Sequence, residues 1–188
     1  RVIQSVVLWD QPASTVNLDV YADQQFPDAP TFSIYQADDF LVGSSGWNVK
    51  ELFIPGGLFS SGTSLALATQ LKFQIYTDNA GIPAGDPVNG GAFWSISLTP
   101  GDAQISLLTG SDGLPSNVRL TLTTPAFLPA GRYWFVFYPV MPYSTAGQYG
   151  RLVSDTANGF DAVVMNPGGG FGFPLTWSSI QDASTWSM

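Results

Sequence analysis

The sequence contains no histidine and no cysteine, and these two absences exclude much of the chemistry that enzymes use near neutral pH. Histidine is the side chain whose unperturbed pKa lies near 7, so a serine–histidine–aspartate triad and imidazole metal ligation are excluded. Without cysteine there is no thiolate nucleophile, no thiolate metal ligand and no disulfide. We therefore predict a protein without catalytic activity, which acts through what it contacts.

Charge is also scarce, because charged residues make up 11% of the chain against about 25% in an average protein. The net charge is −8, and the six cationic residues are scattered, so they cannot form a phosphate-binding stripe. The longest apolar runs, such as 133–140, are about eight residues long, whereas a membrane-spanning helix needs about 20. We predict neither a nucleic-acid partner nor a membrane span.

The chain is long enough for one domain with a substantial core, since at this length roughly 70% of the unfolded surface can be buried. No linker or internal repeat is visible, so we predict a single domain over residues 1–188. Within it, the irregular residues 1–31 are interpreted as an extended N-terminal strand or arm. The chain starts at Arg1 without a visible secretory leader, so we expect a processed chain or an excised piece.

Polar and apolar residues alternate with a period of two in many short segments, and glycine- and proline-rich turns separate these segments. This pattern predicts an all-β protein, an antiparallel two-sheet β-sandwich of jelly-roll type. Residues 58–70 are the best helical candidate, although their serine, threonine and glycine content is unfavourable. The predicted strands are Val2–Trp9, Val16–Tyr21, Ser33–Val42, Trp47–Ile54, Leu65–Tyr76, Ala92–Leu98, Ala103–Leu108, Arg119–Thr123, Arg132–Tyr138, Gln148–Val153, Phe160–Met165 and Thr185–Met188.

Two adjacent carboxylates, Asp38 and Asp39, lie in a predicted strand. Neighbouring strand residues point to opposite faces, so these two cannot form an acid–base pair on one side. The simplest interpretation is that one accepts hydrogen bonds in a turn and the other faces solvent. The alternatives are a structural calcium site, with Asp78 as a further candidate ligand, and a saccharide contact. A glycosidase needs two carboxyl groups about 5–10 Å apart across a cleft, and no spacing singles out such a pair.

Aromatic residues are the richest resource of the chain, at 14% of its length. In residues 133–138 both faces of the strand carry large side chains, which indicates either a central strand buried on both sides or a strand at a contact. For most other aromatics, core packing is the simplest interpretation. The alternatives are a stacking platform for sugars or an apolar subunit interface. The candidates for such contacts are Trp94, Tyr143, Tyr149, Phe171, Trp177 and Trp186.

Several short motifs follow one another in a characteristic order: Asp10–Gln11, Ala37–Phe40, Trp47–Val49, Pro55–Gly57, Ile75–Pro83, Leu128–Trp134 and Asn166–Gly172. In this order they resemble the β-sandwich modules of large secreted and surface-anchored bacterial proteins. The resemblance implies a secreted or cell-surface location and an adhesive, binding or scaffolding task. The resemblance implies no catalytic residue in this chain.

Two functions remain open at this point. The first is a non-catalytic extracellular structural or adhesive protein, the subunit of a surface filament or matrix, in which a terminal strand pairs with an exposed edge of a neighbouring copy. Its subunit-contact residues are predicted to be Val2, Ile3, Val6, Val7, Leu8 and Trp9. The second is a carbohydrate-binding module that uses the exposed aromatics. The expected partners are copies of the chain, other surface proteins or a glycan, with no cofactor other than the candidate calcium ion.

Overall fold

The computed structural model describes residues 6–16, 19–156 and 158–180, and within these ranges the protein is all-β. Thirteen strands and one four-residue helix are present there, with two short 3₁₀ turns at 30–32 and 65–67. The strands are β1 Val20–Ala22, β2 Tyr35–Val42, β3 Trp47–Ile54, β4 Gly56–Phe59, β5 Gln70–Asn79, β6 Ile82–Pro83, β7 Trp94–Leu98, β8 Ile105–Thr109, β9 Pro115–Leu128, β10 Gly131–Val140, β11 Gln148–Leu152, β12 Val163–Met165 and β13 Ser178–Ser179, and the helix is α1 Tyr143–Ala146.

These strands form three sheets, and every strand pair in them is antiparallel. The largest sheet has seven strands in the order β13-β12-β2-β10-β5-β6, with β7 also paired to β5. Two three-stranded sheets have the orders β3-β9-β8 and β1-β11-β4. The polar–apolar alternation of the sequence thus correctly predicts an all-β protein with antiparallel pairing.

Side chains of all three sheets meet in the main hydrophobic cluster. Phe73 of β5, Leu120 of β9 and Tyr149 of β11 are fully buried in it. A second cluster covers the opposite face of the large sheet around Trp134 and Tyr138 of β10. β10 therefore separates two clusters, as its sequence of large residues predicts, and it lies between β2 and β5 in the middle of the sheet.

Several predicted boundaries are wrong. Residues 6–9 of the predicted strand Val2–Trp9 are not in a strand, and the rest of that segment, together with Thr185–Met188, lies outside the described residues. Among the described residues of the predicted strand Val16–Tyr21, which leave out 17 and 18, only Val20 and Tyr21 belong to a strand. The helical candidate forms only the 3₁₀ turn Leu65–Leu67, whose start is capped by the Ser64 hydroxyl.

The interpretation of residues 1–31 as an arm is also wrong for its second half. Asp23, Gln24 and Phe26 are buried, because β1 pairs with β11 and Phe26 packs in a third small cluster. Both hydrogen-bonding groups of the Gln24 side-chain amide are used inside the body, on the carbonyl of Met141 and the amide of Tyr149. From Val20 onwards, these residues therefore belong to the body of the protein and not to an arm.

Candidate functional site

The segment Val6–Trp9 is the largest continuous apolar stretch on the surface of the described chain. Val6 and Val7 are each 75% exposed, and Leu8 and Trp9 are also exposed. No strand pairing or backbone hydrogen bond joins these four residues to another part of the chain that the structure describes. Of the predicted contact residues, Val2 and Ile3 lie outside the described residues.

The residues that follow this segment are attached to the body. The Asn158 side-chain amide donates to the carbonyl of Asp10 at 3.1 Å, and the Ser154 hydroxyl donates to the carbonyl of Pro12 at 2.6 Å. The amide of Ser14 donates to the carbonyl of Val153 at 2.8 Å. Residues 6–9 therefore form an exposed apolar segment. We call residues 10–14, which are hydrogen-bonded to the body, the root of this segment.

The side chain of Gln11 extends this anchor to β2. Its amide nitrogen donates to the Asp38 carboxylate at 2.8 Å. Burial is the largest influence on Asp38 and raises the pKa of its carboxyl to about 6, against the opposing attraction of Arg151. The root of the N-terminal segment is thus held by a carboxyl group that titrates near neutral pH.

Asp39 points to the other face of β2, as the strand geometry requires. It is buried, pairs with the Arg132 guanidinium and accepts the amide of Phe160 at 2.7 Å. The Phe160 ring lies 4.2 Å from the Arg132 guanidinium carbon, a cation–π contact. The carboxylate of Asp39 is therefore fully engaged within the protein.

Asp78 accepts the indole N–H of the buried Trp134 at 2.8 Å and the amide of Gly81 at 3.2 Å. Asp38, Asp39 and Asp78 thus have separate partners, and no contact described in the structure joins the three carboxylates to one another. Among residues 6–16, 19–156 and 158–180 there is no group of three or more acidic side chains placed to hold a metal ion. The structure gives the calcium prediction no support, and that interpretation stays a prediction.

Asp23 and Arg151 form a buried ion pair between β1 and β11. The Arg151 Nε donates to the Asp23 carboxylate at 2.8 Å, and the amide of Gln36 donates to its other oxygen at 3.2 Å. Burial nevertheless dominates, and it raises the pKa of Asp23 from 3.8 to about 7. The positive charge of Arg151 acts to lower the pKa of both Asp23 and Asp38, against the larger effect of burial. Neither residue lines the surface groove at Trp94.

Four buried polar atoms near this ion pair have no hydrogen-bond partner among the described residues. They are Oε1 of Gln11, Oε1 of Gln36, the hydroxyl of Tyr149 and Nη2 of Arg151. Groups of this kind are commonly satisfied by ordered water. The region is therefore a polar interior at the junction of β1, β2 and β11.

The structure separates the predicted contact aromatics into three groups. Tyr143 and Phe171 come together, because both rings contact Phe26, at centroid distances of 6.4 and 6.3 Å. The planes of the Tyr143 and Phe171 rings are inclined by 65° and 60° to the plane of Phe26. Trp177 is half-buried and donates its indole N–H to the carbonyl of Gly85 at 2.8 Å. Trp186 lies outside the described residues.

Tyr149 was predicted to be an exposed contact residue, and this prediction is wrong. It lies in β11 and is fully buried against Phe137. The aromatic ring is covered because Gly56 of the neighbouring strand β4 has no side chain: a Cβ there would lie 2.2 Å from the Tyr149 hydroxyl. The Gly56-Gly57 pair permits a close approach, although in sequence it is typical of a turn.

Trp94 lines a groove of about 400 Å³, which we call the lateral groove. One wall is β7, residues 94–96, and the other is the second half of β9, residues 122–127. Trp94 and Ile96 are half-buried apolar residues of its lining, whereas Leu122 is buried in the main cluster. The polar residues of the lining are Ser95, Gln104, Thr123 and Thr124. Phe127 at the end of the groove is 56% exposed.

Both walls of the lateral groove are strand edges. β7 pairs with β5 on one side only, as far as the described chain shows. In β9, residues 122–125 have no strand partner in the described chain. On one side, pairing with β3 stops at Thr121 and resumes at Ala126. On the other side, β8 begins only at Ile105, which pairs with Leu120. The Gln104 side chain caps one edge amide there, that of Thr123, at 3.0 Å.

The sequence predicted Trp94 as a contact residue but did not point to the β9 wall. A signal was available, since Pro125 falls inside an otherwise strand-like run. Proline is confined to sheet edges and bulges, so its position indicates an interruption of strand pairing, which the register shift between β3 and β9 shows.

No helix in the described part of the chain is both long and apolar enough to cross a membrane. Comparison with known proteins adds no relative: no family model, no curated protein and no solved structure matches this chain.

Proposed function

We propose that this protein is a non-catalytic structural or adhesive subunit of an extracellular filament or matrix, joined to its copies by a donated N-terminal strand. Its body is proposed to be a two-sheet β-sandwich of jelly-roll type. The secreted or cell-surface location follows from the resemblance to bacterial surface modules. It agrees with an acidic chain that is rich in glycine and aromatic residues.

One observation carries the proposal: the exposed apolar segment Val6–Trp9 on an anchored root. Apolar surface of this kind is favourable to bury, by roughly 1.5–3 kcal/mol for each fully covered valine or leucine side chain. An unpaired backbone beside these side chains supplies the hydrogen-bonding groups that strand addition uses. The contact is not self-complementary, so successive copies add in one direction and form a fibre.

The experiment compares two substitutions of the same residue type. Val7→Asp places a charge in the proposed donor segment, and Val16→Asp places the same charge at another highly exposed valine outside it. Assembly is followed by sedimentation and by negative-stain microscopy over a range of protein concentrations. We expect wild type and Val16→Asp to assemble and Val7→Asp to remain monomeric. A wild-type chain that stays monomeric at the highest concentration would contradict the proposal.

A carbohydrate-binding role is the second candidate. It is favoured by Trp94, an aromatic side chain in a groove whose walls also carry serine, threonine and glutamine groups. Such a role predicts that an oligosaccharide quenches tryptophan fluorescence in wild type and not in Trp94→Ala. An unchanged emission spectrum across a broad panel of glycans would contradict it.

A further inference from the structure

We propose that the lateral groove is the acceptor site, and that it receives residues 6–9 of a second copy as an added strand between β7 and β9. This inference rests on the proposed function, because it identifies where the donated strand binds. It assigns a role to two strand edges that the fold leaves without strand partners in the described chain.

The backbone of the groove is suited to a strand. β7 spans five residues, Trp94–Leu98, with one edge unpaired in the described chain. At about 3.3 Å per residue, the four donor residues extend over about 13 Å, close to the length of this edge. An unpaired edge in a sheet is a template for another strand, so main-chain hydrogen bonds to β7 would fix the register of the donor.

The side chains of the groove are suited to this donor. The half-buried side chains of Trp94 and Ile96 offer apolar surface where alternate donor side chains would turn inward. The groove lining carries no charged residue, so an uncharged Val-Val-Leu-Trp segment enters without leaving a charge buried and unpaired. The matching property is apolar surface on both partners.

The register of the large sheet places the donor root and the groove far apart in one molecule. Asp38 of β2 pairs with Phe135, Phe135 pairs with Ile75 of β5, and Ile75 pairs with Trp94 of β7. Asp38 and Trp94 thus lie in one row, three interstrand spacings apart. That separation is about 14 Å.

This distance favours a second copy as the occupant. Gln11 is bound to Asp38, so the donor begins beside β2. An extended chain reaches at most about 3.5 Å per residue, and residues 6–9 of the same molecule would be used up in crossing to β7. They could not also lie along it, whereas the same residues of another copy approach from outside.

The test uses the absence of cysteine, which makes an introduced disulfide unambiguous. A full-length Val7→Cys chain is mixed with a full-length Thr124→Cys chain, and the mixture is oxidised. Thr124 is an exposed residue of the groove lining. The matched control mixture pairs Val7→Cys with Thr121→Cys. Thr121 is an exposed threonine on the same strand, outside the groove lining. A chain carrying both Val7→Cys and Thr124→Cys tests closure within one molecule.

We expect disulfide-linked heterodimers in the Val7–Thr124 mixture at several times the yield of the control mixture. Equal yields in the two mixtures, while wild type still assembles, would overturn the groove assignment and leave the proposed function standing. A wild-type chain that never assembles would overturn both. A disulfide formed only within the doubly substituted monomer, or a glycan that quenches Trp94 while no cross-link forms, would also overturn the assignment.

A second measurement requires no cross-link. Thr124→Lys places a charge in the groove, and a donor strand could bind only by burying that charge, so the concentration for half-maximal assembly should rise about tenfold or more. Thr121→Lys should leave that concentration unchanged. Far-UV circular dichroism of both variants checks that each remains folded. The same shift in both variants would contradict the assignment.

Discussion

Raising the pH from 5 to 8 is expected to destabilise this protein by about 3 kcal/mol through one carboxyl group, that of Asp23. Asp23 is completely buried, and its pKa rises from 3.8 to about 7 because burial penalises the ionised form more than Arg151 favours it. The folded protein therefore retains this proton at pH values where the unfolded chain has lost it. The stability contribution is complete below pH 3.8 and disappears as the pH rises through about 7.

The magnitude follows from the width of this window. Each pH unit between the two pKa values removes about 1.4 kcal/mol, and about two units of the window lie above pH 5. Asp38, with a pKa of about 6, acts in the same direction and adds roughly 1 kcal/mol. The lowered pKa values of Asp28 and Asp86 act only at lower pH. With no histidine in the chain, no imidazole titrates in this range.

The assay is urea unfolding followed by tryptophan fluorescence at pH 5, 6, 7 and 8 and constant ionic strength. With a urea dependence of about 2 kcal/mol per molar, the combined loss from Asp23 and Asp38 of about 4 kcal/mol should lower the unfolding midpoint by roughly 2 M between pH 5 and pH 8. Asp23→Asn should remove most of this decrease. Glu51→Gln, at a half-exposed carboxylate beside Arg119, should leave it unchanged.

Two results would refute the reasoning. One is a pH dependence that is equal in wild type and Asp23→Asn, which would place the titrating group elsewhere. The other is a stability that rises from pH 5 to pH 8, which would mean that the attraction of Arg151 outweighs the cost of burying the Asp23 carboxylate.

Three further substitutions test the packing of the body by urea unfolding at pH 7. Gly150→Ala should destabilise by about 1–3 kcal/mol, because the new methyl group would lie 2.2 Å from the carbonyl oxygen of Tyr21. Arg132→Met should destabilise by about 3–5 kcal/mol, because it leaves the buried Asp39 carboxylate without its guanidinium. Leu71→Ala should cost about 2–5 kcal/mol, since Leu71 is fully buried in the main cluster.

Each of these has a matched control in the same chain. Gly43→Ala should be neutral, because its Cβ would meet nothing within 4 Å. Lys50→Met removes an exposed cation, and Leu175→Ala truncates a leucine that is largely exposed, so both should change stability by less than about 0.5 kcal/mol. If a control variant lost as much stability as the variant it is paired with, the difference in burial between the two positions would not explain the loss.

A strand was predictable from the sequence wherever the side-chain pattern of a single segment is sufficient to indicate it. The alternation at 119–123 marks β9, and the large residues on both faces at 133–138 mark the central strand β10. These two predictions are correct because the alternation of side chains between the two faces is a local property of a strand. The sheet order was not predictable, since it depends on which distant segments pair.

The errors have a common physical cause, which is that tertiary contacts override local signals. Gly56 and Gly57 look like a turn, yet they form a strand because the ring of Tyr149 occupies the space that a side chain would need. The valine-rich run at 6–9 looks like a strand, but no edge in the described chain pairs with it. The lateral groove arises where β9 loses both partners, and no property of residues 122–125 alone specifies this.

The row of paired residues from Asp38 to Trp94 separates the donor root from the acceptor groove by three interstrand spacings in every copy. A donor bound along β7 would add one strand to that edge of the large sheet, and copies joined in this way would form a fibre. The two tips would differ, one presenting an unfilled groove and the other an unbound apolar tail, so growth at the two tips should proceed at unequal rates.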